Sequence, residues 1–501
     1  MRYTHPRVLT ASVVAIAALA LASPARAEGP TVSGAGSTWS QIAVDQWRAD
    51  VARIGLRINY QGVGSSAGRQ FFIIDQVDFA VSEIPFEPDE LQKLKSANRS
   101  FQYLPIVAGG TSVMYNLRDS QGQPINNLRL SSDSLAGIFT GQIDRWDDAR
   151  IKADNPGLRL PDMEVIPVIR SDGSGTSAQF SAYLKAMEPS QWAKFAQQSG
   201  IQNAPTSYWP NFPGSVAQRG SDGVANYVAN DSIGVGAVTY VEAGYAIQRR
   251  RPVASVKNAS GAYVQPTATA VATALTKARL NADLTQELGG VYLHPDASAY
   301  PISSYSYMIT QTKGFDPVKG KVLGSFMIYM ACDGQQQADV LGYSPLPPNL
   351  VEAVFAAVRR VPGAPEPPPL SQCNNPTVGA GGVYGEGPDI TGAPSTSQGT
   401  SAGSTSEAGG NRSKAKDDSP ADSVQVGLPG EAGFEVALLT EEEAREMQEA
   451  AILAAEGLVV PASARYLLLG FAALVVFLGP YLAEPVVRRL RRRLSVRRAV
   501  S

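Results

Sequence analysis

An α/β fold with a largely parallel sheet is what this sequence predicts, and two observations predict it. Helical stretches alternate with short β-rich runs, "VDFAVS" at 77–82, "TSVMYNL" at 111–117 and "EVIPVIR" at 164–170, which is the pattern of strands joined through crossover helices. The composition can fill such a fold, because 44% of the 501 residues are hydrophobic, enough for a sizeable core in a chain of roughly two to four domains. Lys and Arg number 43 against 45 Asp and Glu, for a net charge of −2. No general basic field points to nucleic acid.

Taken in order, Arg2, His5 and Arg7 precede an apolar stretch from Val8 to Leu21 and then "SPARA", the plan of a secretory signal over 1–27. The folded part is expected over 28–363, without internal repeats. From about Pro365 the composition turns to "PEPPPL", "GAGGVYGEGP" and a long Gly/Ser/Thr-rich run, which offers little to a core and reads as a disordered tether over 364–464. Within it Thr440 and Glu443 form a capping box and Gly457 a stop, predicting a short helix over about 441–456. Tyr466 to Ala483 is apolar throughout, so one transmembrane helix is expected over 465–485. The arginine-rich tail 486–501 then marks the cytoplasmic side, leaving the folded part outside the cell membrane. Cys332 and Cys373, the two cysteines, are expected as one disulfide in an oxidising compartment, with two buried thiols as the alternative. Two cysteines and two histidines argue against a structural zinc site.

Three helix starts share one grammar. "GAGSTWSQIAVDQW" from Gly34 leads into a helix with Trp39, Ala43, Trp47 and Val51 on one face, and "GVGSSAGRQFF" from Gly62 leads into a second. "RSDGSGTSAQF" at 170–180 opens a third, whose Phe180, Tyr183, Leu184 and Met187 recur at helical spacing. Each glycine-bearing loop delivers hydroxyls and bare N–H groups to the positive end of a helix dipole. One such turn is an ordinary cap. Three together, one preceded by Arg170 and Asp172, point to a buried oxyanion held mostly by neutral donors, with Asp172 orienting the guanidinium.

The stretches "GAGSTW", "YQGVGSSAGRQ", "VDFAVSEIPF", "GQIDRWDDARIKADNPGLRLP", "VIRSDGSGTSAQFSAYL" and "GSDGVANYVANDSIGVGAVTYVEAGYA" resemble the periplasmic phosphate-binding proteins of ABC transporters, in family order through 31–246, with a weaker echo in "YPISSYSYMI" near 300. The resemblance implies a two-lobed class II periplasmic-binding-protein fold with a hinge, lobe I over about 28–110 and 255–363 and lobe II over about 111–254. It implies capture of inorganic phosphate, delivery to ABC permease subunits, and no cofactor. Carried onto this chain, Thr38 and the N–H of Trp39 would hold phosphate from the first helix, although the family has Phe at the position of Trp39. Ser65 would donate from the second helix. Arg170 would pair with phosphate oxygens, steadied by Asp172, while Ser174, Gly175 and Thr176 would donate from the third. The family has Asp where this chain has Glu83; there the carboxylate accepts the proton that phosphate keeps and sulfate lacks.

Two other readings are available to the same residues. Gly64-Ser65-Ser66-Ala67-Gly68 fits the elbow of a serine hydrolase with Ser66 as nucleophile, but the mature chain offers His294 as its one histidine and no motif marks a carboxylate partner. A phosphate or oxyanion sensor, or a surface scaffold not coupled to transport, would use the same binding fold, tether and anchor.

Overall fold

Strand β1 (Thr31–Gly36) begins an α/β body whose sheet elements are β2 (Arg57–Gly62), β3 (Phe79–Ser82), β4 (Phe101–Tyr115), β5 (Ile166–Arg170), β6 (Val216–Gln218), β7 (Ala237–Glu242), β8 (Ser303–Gln311) and β9 (Tyr343–Ser344). The computed structural model describes residues 29–379 and 387–391. The expected signal, juxtamembrane helix, membrane span and basic tail lie outside them. Among the described residues no helix is long and apolar enough to cross a membrane.

The nine strands form one sheet, eight of them along the path β2–β1–β3–β8–β4–β7–β5–β6 and β9 pairing on β4. β1 runs parallel to β2 and β3, and β5 runs parallel to β6 and β7. The centre differs from the expectation of a largely parallel sheet, because β8 is antiparallel to β3 and β4, and β4 is antiparallel to β7. The reason is connectivity: β4 is fifteen residues long, pairs with β8 through Phe101–Gly110 and with β7 through Thr111–Tyr115, and so belongs to both halves of the sheet. Two lobes result, each a parallel set of strands, joined along this strand. Where the chain returns, Arg129–Leu130, Ser255–Lys257 and Tyr263–Val264 make a small sheet of their own.

Four helices matter to the site: α1 (Gln41–Ala52), α2 (Ser65–Ile73), α3 (Gly175–Met187) and α4 (Gly220–Ala229). α1 buries Ala43, Val44, Trp47 and Val51, a stripe that only a helical period brings to one face. Trp39 precedes this helix instead of sitting in it, yet is equally buried. α3 buries Phe180, Tyr183 and Leu184; the Phe180 ring packs with Phe139, Trp209 and Tyr240, and Tyr183 with Tyr292. α2 lies so close to β1 that a Cβ on Gly68 would stand 2.3 Å from the Gly36 Cα; glycine at 68 is what permits the crossing. α4 buries Val224, Ala225 and Val228 in a second core with Met114, Val168, Val241 and Tyr245.

The chain stays on this body past the expected boundary at 363. Cys373 is disulfide-bonded to Cys332, so the alternative of two free thiols falls. The Asn375 amide donates to the carbonyls of Ala331 and Leu346 at 2.9 and 3.2 Å, and the Thr377 hydroxyl donates to the same Leu346 carbonyl. Asp389–Ile390 then pairs with Arg279–Leu280. The described residues up to 379 and at 387–391 therefore belong with the folded body, because a disulfide and bonds to backbone carbonyls hold a segment whose composition is poor in core-forming residues.

Candidate functional site

In this sheet the parallel strands deliver their carboxyl ends to one place. Thr38 follows β1, Ser65 follows β2, Glu83 follows β3, Arg170 ends β5, Ser221 follows β6 and Glu242 ends β7. Ligands of open α/β sheets bind at such ends, where loops turn into helix N-termini. All six of these side chains are buried, as are Ser174 and Thr176.

Hydrogen bonds tie them into two clusters, each of which crosses between the lobes. The Ser65 hydroxyl donates to Glu83 Oε2 at 2.8 Å and accepts the N–H of Gly175 at 3.1 Å. Ser306 Oγ stands 2.9 Å from Glu83 Oε1 and 3.0 Å from Ser40 Oγ. On the other side Thr38 Oγ1 lies 2.9 Å from Ser221 Oγ and accepts the Ser221 N–H at 3.1 Å. Arg170 Nη1 reaches Thr176 Oγ1 and Ser221 Oγ at 3.5 and 3.4 Å, long enough to leave that donor under-used.

Arg170 supplies the positive charge, and Asp172 fixes it. Arg170 Nε donates to Asp172 Oδ1 at 2.7 Å and Nη2 donates to Oδ2, while Gly220 N–H also donates to Oδ1 at 2.9 Å. Burial alone would lower the Arg170 proton affinity, but the Asp172 hydrogen bond and charge, with Glu242 and Tyr240 adding, more than offset it. For Asp172 burial would raise the carboxyl, and Arg170 outweighs that and holds it below the usual range. Both stay charged, with the guanidinium's Nη1 edge turned toward the hydroxyls.

Glu83 has the opposite balance. Burial pushes its carboxyl up, only partly opposed by hydrogen bonds from Ser37, Ser65 and Ser306. Its backbone carbonyl accepts from Gln179 Nε2 at 2.7 Å and Gln286 Nε2 at 3.1 Å, so its position is held from both lobes. A Cβ on Gly175 would stand 2.2 Å from Glu83 Oε2; the absent side chain is what makes room for a carboxyl one methylene longer than Asp.

The expected residues thus meet, with two distinctions. Trp39 comes to the site by backbone only: its N–H donates to Ser37 Oγ at 2.9 Å and its indole N–H to Thr111 Oγ1 at 3.2 Å. Ser174 caps α3, accepting the Ser177 N–H at 3.2 Å, and Gly175 already gives its own N–H to Ser65. The hydrolase elbow does not assemble. Ser66 Oγ has no hydrogen-bond partner among the described residues, while His294 bonds Thr276 Oγ1 and the Asp296 N–H.

Ser221, Glu242 and Ser306 were not singled out from sequence. Ser221 carried a legible signal, since "GSDGVA" repeats the glycine–hydroxyl–helix grammar of the other three starts. Glu242 showed as a lone carboxyl in the apolar run "AVTYVEAGYA". Ser306 sits 223 positions from Glu83 and has no local sign.

A family model described as a PBP superfamily domain matches residues 22–333. The phosphate-binding protein PstS of Xylella fastidiosa (strain Temecula1) is 34% identical over 329 residues, covering 65% of this chain and 84% of the relative. That of Methanocaldococcus jannaschii is 29% identical over 344 residues, covering 65% and 85%. A solved high affinity periplasmic phosphate-binding protein, bound with phosphate at pH 8.5, superposes with a TM-score of 0.51 at 21% identity, over 65% of this chain and 93% of that one. That likeness concerns the fold.

Proposed function

Because this chain belongs to the periplasmic phosphate-binding proteins, a family of substrate-binding proteins and not of enzymes within the PBP superfamily, we propose that it captures inorganic phosphate between its two lobes. The observation that carries this reading is Glu83, a buried carboxyl set among anion donors. A carboxylate tolerates an oxyanion beside it only when a proton lies between them. Phosphate keeps such a proton near neutral pH, whereas sulfate would bring two facing acceptors and mutual repulsion.

The assigned roles follow from placement. Arg170 Nη1 pairs with the anion, Asp172 locks the guanidinium, Thr38 and Thr176 donate hydroxyl protons, and Ser65 does so by exchanging its bond to Glu83 for one to the ligand. The N–H groups of Trp39, Ser174 and Gly175 lie at the mouths of α1 and α3, where they donate to Ser37 Oγ, the Ser207 carbonyl and Ser65 Oγ and would turn to the anion on binding, and Glu83 accepts the hydrogen bond of the ligand's proton. Binding by dipoles in a buried setting needs little reorganisation and draws the lobes together, since Ser65, Ser221 and Gly175 bond across them.

The protein is further proposed to act outside the cell, held to the membrane by the apolar segment 465–485 behind its Gly/Ser-rich tether, and to hand phosphate to ABC permease subunits. Equilibrium dialysis of the full chain in detergent with radiolabelled phosphate tests capture. Saturable binding that excess sulfate does not displace is expected; equal displacement by sulfate, or no saturable binding, overturns it. Growth on limiting phosphate after deletion, with other phosphate carriers removed, tests delivery, and unimpaired growth overturns that part.

A further inference from the structure

Glu242 ends β7 opposite Thr111, at the point where β4 passes from one lobe to the other. It is fully buried. Oε2 has one partner, the Ser221 hydroxyl at 3.2 Å, and Oε1 has none. A buried carboxylate ordinarily collects several donors or a dedicated cation. Arg170 is the nearby cation, and its Nε and Nη2 edge is already given to Asp172. Tyr245 and Tyr343 also lie near, but their hydroxyls donate to the carbonyls of Thr38 and Trp39. Glu83, across the site, adds negative charge.

A neutral carboxyl suits these surroundings, and it decides which way the neighbouring protons point. Thr38 Oγ1, Ser221 Oγ and Glu242 Oε2 form a line with gaps of 2.9 and 3.2 Å. When Glu242 carries a proton it donates to Ser221, Ser221 donates to Thr38, and the Thr38 proton is left for a ligand. When Glu242 is ionised, Ser221 must donate to it, and Thr38 is drawn to Ser221 instead. The ionised form also places a charge beside Arg170 that competes with any anion.

We propose that Glu242, as a neutral acid, is a positioning residue for anion capture, aiming the Thr38 hydroxyl at the ligand through Ser221 and withdrawing it when Glu242 loses its proton to solvent. The proposal rests on the phosphate-binding reading above and deepens it. Burial acts in the same direction, raising this carboxyl well above its ordinary range despite opposition from its own backbone N–H, the Ser221 hydrogen bond and the Arg170 charge. Phosphate affinity should therefore contain a component, separate from the ligand's own titration and from Glu83, that weakens as pH rises.

The test is calorimetry of the full chain in detergent with inorganic phosphate from about pH 6 to about pH 9, in buffers of different ionisation enthalpy, so that affinity and proton exchange are both read. Glu242→Gln keeps shape and a donor toward Ser221 but cannot titrate. Wild type should lose affinity more steeply than this variant, up to about tenfold per pH unit above the Glu242 transition, and should take up more protons on binding. Ser221→Ala, which cuts the line without removing a charge, should weaken phosphate by about five- to tenfold and reduce the steepness. Identical pH profiles and proton counts in wild type and Glu242→Gln overturn the proposal. Absence of phosphate binding by wild type at every pH overturns the functional reading instead, and thermal melts confirm that each variant is folded.

Discussion

The Gly175 N–H donates to Ser65 Oγ at 3.1 Å across the two lobes, and the same hydroxyl passes its own proton to Glu83. One serine therefore joins the mouths of α2 and α3 and holds the buried Glu83 carboxyl.

Glu83→Gln should lose discrimination between phosphate and sulfate, because an amide no longer demands a proton from the ligand. Glu83→Asp should preserve it. Competition dialysis with both anions measures this, and Glu83→Gln binding phosphate unchanged while still refusing sulfate would refute the proton-acceptor role.

Gly175→Ala should weaken phosphate at least about tenfold, since a methyl at that position would meet Glu83 Oε2 at 2.2 Å and Ser65 Oγ at 2.8 Å and both must move. Titration calorimetry reads the loss. Affinity within about twofold of wild type would mean that Glu83 does not lie against α3 in the bound form.

Arg170→Ala should reduce affinity by more than about a hundredfold, corresponding to about 3 kcal/mol or more, because it removes the cation and leaves Asp172 buried and unpaired. The same variant should melt lower than wild type. Normal phosphate affinity in calorimetry would reject the assignment.

Stability should also respond to pH with a definite sign. Glu83 and Glu242 are raised by burial, so the native chain binds more protons than the unfolded one between the ordinary carboxylate range and their raised values. Their effect on stability falls as pH climbs through that window. Asp172 works the other way: Arg170 outweighs burial and lowers it, giving stability above the ordinary range that disappears as pH drops through its lowered value. Calorimetric melts without phosphate should decline as pH rises above the ordinary carboxylate range, and Glu83→Gln/Glu242→Gln should flatten that decline. A wild-type melting temperature that climbs steadily over the range would contradict it.

Reduction of Cys332–Cys373 should destabilise the chain by about 4 kcal/mol, the loop-entropy value for a cross-link closing a separation of 41 residues. Phosphate affinity at a temperature where the reduced chain is folded should stay within about twofold. Melts and titrations with and without reductant check both halves, and a large affinity loss would tie this bond to the site.

What could be read from the sequence was local in physical origin. The helix starts at Thr38, Ser65 and Thr176 follow from glycine, hydroxyl and apolar period within a dozen residues, and the structure brings them together around Arg170. Strand direction was not legible, because an apolar run such as "TSVMYNL" buries equally well beside either kind of neighbour. Ser306 and Ser221 reach Glu83 and Thr38 over 223 and 183 positions, and only tertiary packing makes such pairs. The segment after 363 reads as unstructured because Pro and Gly dominate it, yet Asn375 and Thr377 bond carbonyls that the core leaves open.

The pairing of Asp389–Ile390 with Arg279–Leu280 puts the last described residues on the same half of the molecule as β1. The other half, entered through β4 and left near Ser255, is inserted within it. A force applied at Thr391 would therefore be borne first by the half that carries β1, and the inserted half would feel it only through β4 and the return near Ser255.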